Sequence, residues 1–184
     1  PGMVEGLRIL ADLRQELGVC VTTDIHHPDQ AEPAAAAVDL LQIPAFLCRQ
    51  TDLLLEAGRT GRPVNIKKGQ FQAPWDMEAA VQKVRRGGDG GVVLTERGSS
   101  FGYNNLVVDY RALAEMSRMG VPVCFDATHS TQRPGGLGHS SGGDRDMAPL
   151  LAKAAGGAGV DAVFLEVHDR PVEAKSDAAT QLPL

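Results

Sequence analysis

Two sets of residues in this chain have the types and spacing to do chemistry. Lys67 and Lys68 close one apolar run, and Glu96-Arg97-Gly98 closes the next. A lysine and an arginine aimed at one mouth suit a phosphate dianion or a carboxylate, the guanidinium through forked contacts and the ammonium as a point charge. A lysine in that place also suits a Schiff base with a carbonyl substrate, and the residues by themselves leave both readings open. The second set is Asp126-Ala-Thr-His129, Glu166-Val-His168 and Asp177. Imidazole with two carboxylates fits an Fe, Mn or Zn site that keeps positions open for water or substrate oxygens. A hydrogen-bonded core histidine is the competing reading of His129. The glycine-rich stretch 134–143 precedes a helix but lacks the G-x-x-x-x-G-K-[ST] pattern. An anion cradle, a mobile lid and a plain linker are all open for it.

These residues need elements to hold them. Short β-branched runs alternate with longer helical stretches at roughly 25 residues per pair, the rhythm of repeated βα units and a parallel sheet. The pattern predicts strands over 20–24, 41–43, 64–67, 91–95, 123–127 and 162–167. Helices are predicted over 4–17, 33–40, 51–57, 77–85, 110–118 and 146–155. Polar groups gather where each strand ends: Asp24 and His26, Gln42, Lys67 and Lys68, Glu96 and Arg97, Asp126 and His129, Glu166 and His168. A doubly wound sheet would confine ligands to a switch point. In a (β/α)8 TIM barrel every βα-loop contributes to a shared mouth. The expected fold class is therefore α/β, an incomplete (β/α)8 barrel, with residues 1–184 forming one partial domain. About six units of the usual eight are expected, the chain opening at Pro1-Gly2 directly into a helix and ending at Leu184 without a helix to cover its last strand.

Composition narrows the class of function. A net charge of −5 argues against a general nucleic-acid surface, which needs a clustered positive field. No apolar run approaches the roughly 20 residues of a membrane helix, so no membrane partner is expected and the cytoplasm is the expected location. Cys20, Cys48 and Cys124 are far apart and odd in number, with no C-x-x-C spacing. They encode neither a disulfide framework nor a zinc knuckle.

Several runs carry a specific resemblance. Leu41-Gln-Ile-Pro-Ala-Phe-Leu-Cys-Arg-Gln-Thr-Asp52, Asn65-Ile-Lys-Lys-Gly-Gln-Phe71 and Phe101-Gly-Tyr-Asn-Asn-Leu-Val-Val-Asp109 resemble the 3-deoxy-D-manno-octulosonate 8-phosphate synthase family. Phe125-Asp-Ala-Thr-His129 and Ser176-Asp-Ala-Ala-Thr-Gln-Leu-Pro-Leu184 extend the likeness to the end of the chain. The resemblance implies a homotetrameric barrel that joins phosphoenolpyruvate to arabinose 5-phosphate, releases phosphate, and supplies a sugar acid for lipopolysaccharide. It implies that Lys67 and Arg97 hold the phosphate and carboxylate of phosphoenolpyruvate. Gln42 and the Pro44-Ala45-Phe46 turn would line the pocket, and Asp24 would meet the sugar hydroxyls. Arg49 resembles the arginine that reaches into a neighbouring subunit to bind the phosphate of arabinose 5-phosphate. His129, Glu166 and Asp177 match the ligands of a divalent metal (Zn, Fe, Mn or Co) in the metal-dependent branch, with His129 and Asp177 also at the catalytic centre.

The Ser-Asp-Ala-x-Thr-Gln-Leu ending resembles that branch, whereas the metal-free branch usually carries Cys-Asp-Gly. Measured against the family, the first two strands are expected to be lacking, with a cysteine ligand in an Ala-Gly-Pro-Cys segment, a further lysine and an Arg-Ser-Ser phosphate site. The terminal helix is expected to be lacking too. His27 stands where the family usually has an acidic residue, and His139 interrupts the glycine-rich loop. Two other readings stay open: a related phosphoenolpyruvate-condensing synthase that takes erythrose 4-phosphate, and a truncated, non-catalytic barrel fragment. The runs at Arg49–Asp52 and Phe101–Asn105 argue against the first.

Overall fold

A computed structural model describes residues 2–136, 138 and 141–184. The chain divides into two compact units, residues 1–67 with 76–93 and residues 68–75 with 94–184. In the first, helix α1 (Met3–Leu17) leads into strand β1 (Thr22–Asp24), followed by α2 (Ala31–Ala37), β2 (Leu40–Ile43), α3 (Thr51–Arg59), β3 (Val64–Lys67) and α4 (Met77–Gly87). β1 pairs with β2 and β2 with β3, all parallel, with Asp24 opposite Gln42 and Gln42 opposite Asn65.

The local reasons are legible in the side chains. α4 buries Met77, Ala80, Val81 and Val84, the i, i+3, i+4, i+7 stripe of a helix lying on a sheet. α2 buries Ala31, Ala34, Ala35 and Ala37, whose small side chains let its backbone lie close to its neighbours. α3 and α4 meet through glycines: a Cβ on Gly58 would lie 2.2 Å from the Val84 carbonyl oxygen, and one on Gly87 would lie 2.3 Å from that of Leu55. Alternation along β2 and β3 sends Leu41, Ile43, Val64 and Ile66 to one face and Gln42, Asn65 and Lys67 to the other. All of these are buried, as expected for parallel strands covered on both faces.

The second unit holds the end of β4 (Val92–Glu96), then α5 (Arg111–Ser117), β5 (Val123–Asp126), α6 (Ala148–Gly157) and β6 (Ala162–Phe164). Residues 94–96 of β4 and all of β6 run parallel to β5, which lies between them. β5 is buried throughout and places fully buried Phe125 and Asp126 in successive positions on opposite faces. Three small ladders decorate the loops: Ser99–Ser100 with Leu106–Val107, Gln132–Arg133 with Gly142–Gly143, and Val167–His168 with Leu182–Pro183.

The six predicted strands are therefore present, each with parallel pairing and each consistent with an incomplete (β/α) barrel. Several boundaries move by one to three residues, and two of these moves have a local reason. The second helix ends at Ala37 rather than residue 40, because Leu40 already belongs to β2. The last strand stops at Phe164 rather than residue 167, where the chain turns and Val167–His168 pair with Leu182–Pro183 instead. Among the described residues, no helix is long and apolar enough to cross a membrane.

Candidate active site

In the first unit the polar ends of three strands form one hydrogen-bonded row. Gln42 Nε2 donates to Asp24 Oδ1 at 2.6 Å, and Asn65 Nδ2 donates to Gln42 Oε1 at 2.8 Å. Gln42 is thus fixed in orientation by an acceptor on one side and a donor on the other. Lys67 follows at the end of β3, 6% exposed. The turn after β2 buries Ala45 and leaves Phe46 exposed, with Pro44 preceding a single 3-10 turn. Arg49 is exposed, and its carbonyl accepts from Lys83 Nζ at 3.2 Å. Asp24, Gln42 and Lys67 are all at strand carboxyl ends.

In the second unit, β5 ends in a buried carboxylate that organises the turn after it. Asp126 Oδ1 accepts from the backbone N–H of Thr128 and His129 and from the Thr128 hydroxyl. Its Oδ2 lies 2.6 Å from His129 Nδ1. A carboxylate accepts only, so Nδ1 carries the proton and Nε2 presents its lone pair on the other side of the ring. That Nε2 lies 3.3 Å from Glu166 Oε1 and 3.9 Å from Asp177 Oδ2. Thr128 holds the far side as well, because its hydroxyl oxygen accepts from the Glu166 backbone N–H at 3.1 Å.

Asp177 is positioned by unusual backbone. Its φ of +51° lies in the left-handed region that few non-glycine residues occupy. Its carbonyl accepts from the backbone N–H groups of Thr180 and Gln181, closing a tight turn. Thr180 is received by Gly143, where an added Cβ would lie 2.1 Å from the Thr180 methyl carbon. The Gln132–Arg133 ladder with Gly142–Gly143 thereby braces the segment that carries Asp177.

One ligand atom each from His129, Glu166 and Asp177 lie within 4.8 Å of one another. Donors about 2.0–2.1 Å from a tetrahedral ion sit about 3.3 Å apart, close to the spacing from Nε2 to Glu166. Glu166 Oε2 is buried without a hydrogen-bond partner among the described residues, the condition of a carboxylate oxygen left for a cation. The donor set and its Asp126-oriented imidazole fit a first-row divalent ion. His168, in contrast, is not in this group, and its Nδ1 accepts from the Arg170 backbone N–H at 2.9 Å.

Arg97 is buried in the same unit. Burial pulls its guanidinium down from the ordinary value, while the carboxylates of Asp126, Glu96, Asp177 and Glu166 oppose that shift. Nη2 donates to Gln132 Oε1 at 2.6 Å, and Nη1 has no hydrogen-bond partner among the described residues. An unpaired, buried guanidinium nitrogen is a donor suited to an anion. Its neighbours Lys68 and Glu96 have a different task from the one their sequence positions suggest. Lys68 is fully buried, donates to Gly69 O, Gln72 O and Ser99 Oγ, and lies 3.6 Å from Glu96 Oε2. Glu96 Oε1 accepts from the N–H groups of Arg97 and Gly98, so this pair holds the Arg97 turn from beneath. Burial pushes the Glu96 carboxyl up, against the pull of Lys68 and those two N–H groups.

At the two ends of the glycine-rich stretch, Asn104 Nδ2 donates to the Pro134 carbonyl and Gly142–Gly143 pair with Gln132–Arg133. His139 and Pro1 lie outside the described residues. Sequence reasoning missed Gln132, a neutral residue six positions past Asp126 that touches both Arg97 and Asp177. Nothing in its type or spacing announces that position.

The pattern of the DAHP synthetase I family matches residues 1–184. A protein of Nitratidesulfovibrio vulgaris called 2-dehydro-3-deoxyphosphooctonate aldolase is 61% identical over all 184 residues of this chain, which cover 67% of that protein. Similar proteins with the same name occur in Protochlamydia amoebophila, 56% identical over 98% of this chain and 66% of its own length, and in Geobacter metallireducens, 59% identical over 100% and 68%.

Proposed function

The chain belongs to the DAHP synthetase I family, and on that premise we propose that it carries most of an enzyme that condenses phosphoenolpyruvate with D-arabinose 5-phosphate. The products are 3-deoxy-D-manno-octulosonate 8-phosphate and inorganic phosphate. The chain spans about two thirds of the length of its relatives, and the name they share supports this substrate pair. The observation that carries the reading is the buried Arg97, with Nη1 unpaired, in one unit with the His129, Glu166 and Asp177 group.

The chemistry asks for those parts. The enol carbon of phosphoenolpyruvate attacks the sugar aldehyde, making the new C–C bond. Water adds at the adjacent carbon, and the resulting hemiketal phosphate loses phosphate by C–O cleavage. Arg97 binds the anionic enol phosphate through Nη1 while Glu96 and Lys68 keep its backbone in place. Lys67, at the end of β3 in the first unit, is the other cation assigned to a phosphate or carboxylate. Donors preorganised in this way contribute on the order of 3 kcal/mol each to such steps. Gln42, held between Asp24 and Asn65, lines the pocket with Pro44, Ala45 and Phe46, and Asp24 accepts from sugar hydroxyls. Asp126 holds the His129 proton on Nδ1 and so keeps Nε2 available as a ligand. A divalent ion held by His129, Glu166 and Asp177 would supply Lewis acidity toward a substrate oxygen or water. Arg49, exposed on this chain, is assigned to the sugar phosphate of a neighbouring subunit in a homotetramer working in the cytoplasm.

Chelation tests the cation directly. In the full-length protein, exhaustive chelation should abolish phosphate release, and Mn, Fe, Co or Zn should restore it. His129→Ala should lose metal binding and at least about tenfold in activity, the scale on which even outer-sphere losses register. Full activity in protein shown metal-free by elemental analysis would contradict the assignment.

A further inference from the structure

Between the anion-binding arginine and the cation-binding group stands a single amide. Gln132 is 8% exposed, and both ends of its side chain are committed: Oε1 accepts from Arg97 Nη2 at 2.6 Å, and Nε2 donates to Asp177 Oδ1 at 2.5 Å. Its orientation follows from its neighbours' chemistry. A guanidinium only donates and a carboxylate only accepts, so the amide has one satisfactory setting, and the choice of oxygen and nitrogen is fixed by the network.

That setting has two consequences. Tying up Asp177 Oδ1 turns Oδ2 toward His129 Nε2, at 3.9 Å. Tying up Arg97 Nη2 leaves Nη1 as the unpaired donor. Gln132 itself is held rigidly: it follows the 3-10 turn His129–Thr131 and opens the ladder with Gly142–Gly143, the strand whose Gly143 receives Thr180 from the Asp177 turn. Asp177, with its left-handed φ of +51°, needs such support to keep one orientation.

We propose that Gln132 is a positioning residue that couples anion binding at Arg97 to cation binding at His129, Glu166 and Asp177. A shift of the guanidinium on taking up an anion is passed through one rigid amide to the Asp177 carboxylate, and a cation drawing on Asp177 acts back along the same path. Such coupling is reciprocal, each ligand changing the affinity of the other by the same factor. The inference rests on the proposed function for the identity of the two ligands.

The test is Mn2+ affinity of the full-length protein, measured by calorimetry with and without saturating phosphoenolpyruvate. The wild type should bind Mn2+ about fivefold or more tightly with phosphoenolpyruvate present, within the usual range of such linkages. Gln132→Met, of similar length but unable to hydrogen-bond at both ends, should weaken Mn2+ binding about tenfold, as loss of a carboxylate's outer partner does. Its linkage should fall below about twofold. Gln132→Asn, one methylene too short to span the gap, is the gentler second variant and should lose the linkage as well, with an unchanged thermal melt confirming its fold. Wild-type Mn2+ affinity and linkage in either folded variant would overturn the role of Gln132 while leaving the two binding sites intact. A wild type that binds neither Mn2+ nor phosphoenolpyruvate would overturn the functional reading and this inference together.

Discussion

At the scale of single residues, the buried Lys68 and Glu96 decide whether Arg97 stands where it does. A charge taken out of water needs its partner, and removing one member of a buried pair typically costs about 3–5 kcal/mol because the other is left uncompensated. Lys68→Met should therefore lose stability on that scale in urea unfolding, and adding Glu96→Gln should recover more than half of the loss. Gln at 96 keeps an oxygen for the Arg97 and Gly98 N–H groups while removing the stranded charge. Simple additivity of the two losses would show that the pair is not coupled. The same carboxyl gives a pH signature. Its folded pKa is raised from 4.5 by burial, so its contribution to stability is fully present below that value and is lost as pH rises through the elevated folded value. Glu96→Gln should flatten this decline when stability is measured across that range. The grouping of His129, Glu166 and Asp177, which the structure brings within 4.8 Å of one another, was suggested by residue type. The inward turn of Lys68 was not, since two adjacent lysines at a strand end read alike until the strand's alternation is anchored to a face.

At the scale of elements, the alternation of short β-branched runs with longer helical stretches was enough to find the six main strands. β3 was predicted at its observed bounds, with Lys67 closing it. Helix ends were harder, because Ala34–Ala37 and Val38 continue an apolar pattern that only pairing of Leu40 interrupts. The close approach of α3 and α4 was also invisible, since a glycine in a helix announces flexibility more readily than contact. It has a measurable cost: Gly58→Ala drives a methyl into the Val84 carbonyl, and overpacking of this kind costs about 1–3 kcal/mol. A thermal melt should register that loss, whereas the same change at Gly6, where an added Cβ meets nothing within 4 Å, should be neutral or stabilising. Equal behaviour of the two variants would mean that α3 and α4 do not pack as described.

At the scale of the whole molecule, the rhythm of parallel strands with polar carboxyl ends gave the barrel class, while the gathering of His129, Glu166 and Asp177 depended on specific hydrogen bonds, one of them joining residues 38 positions apart. His129, Glu166 and Asp177 are gathered by the Asp126 hydrogen bonds, the Thr128 link to Glu166 and the turn at Asp177, none of which spacing alone encodes. The central claim is that these parts serve the condensation of phosphoenolpyruvate with a five-carbon sugar phosphate. Release of inorganic phosphate from phosphoenolpyruvate by the full-length, metal-loaded protein tests it most directly. That release should require arabinose 5-phosphate and yield one 3-deoxy-D-manno-octulosonate 8-phosphate per phosphate. Equal release with erythrose 4-phosphate, or none with either sugar, would contradict it.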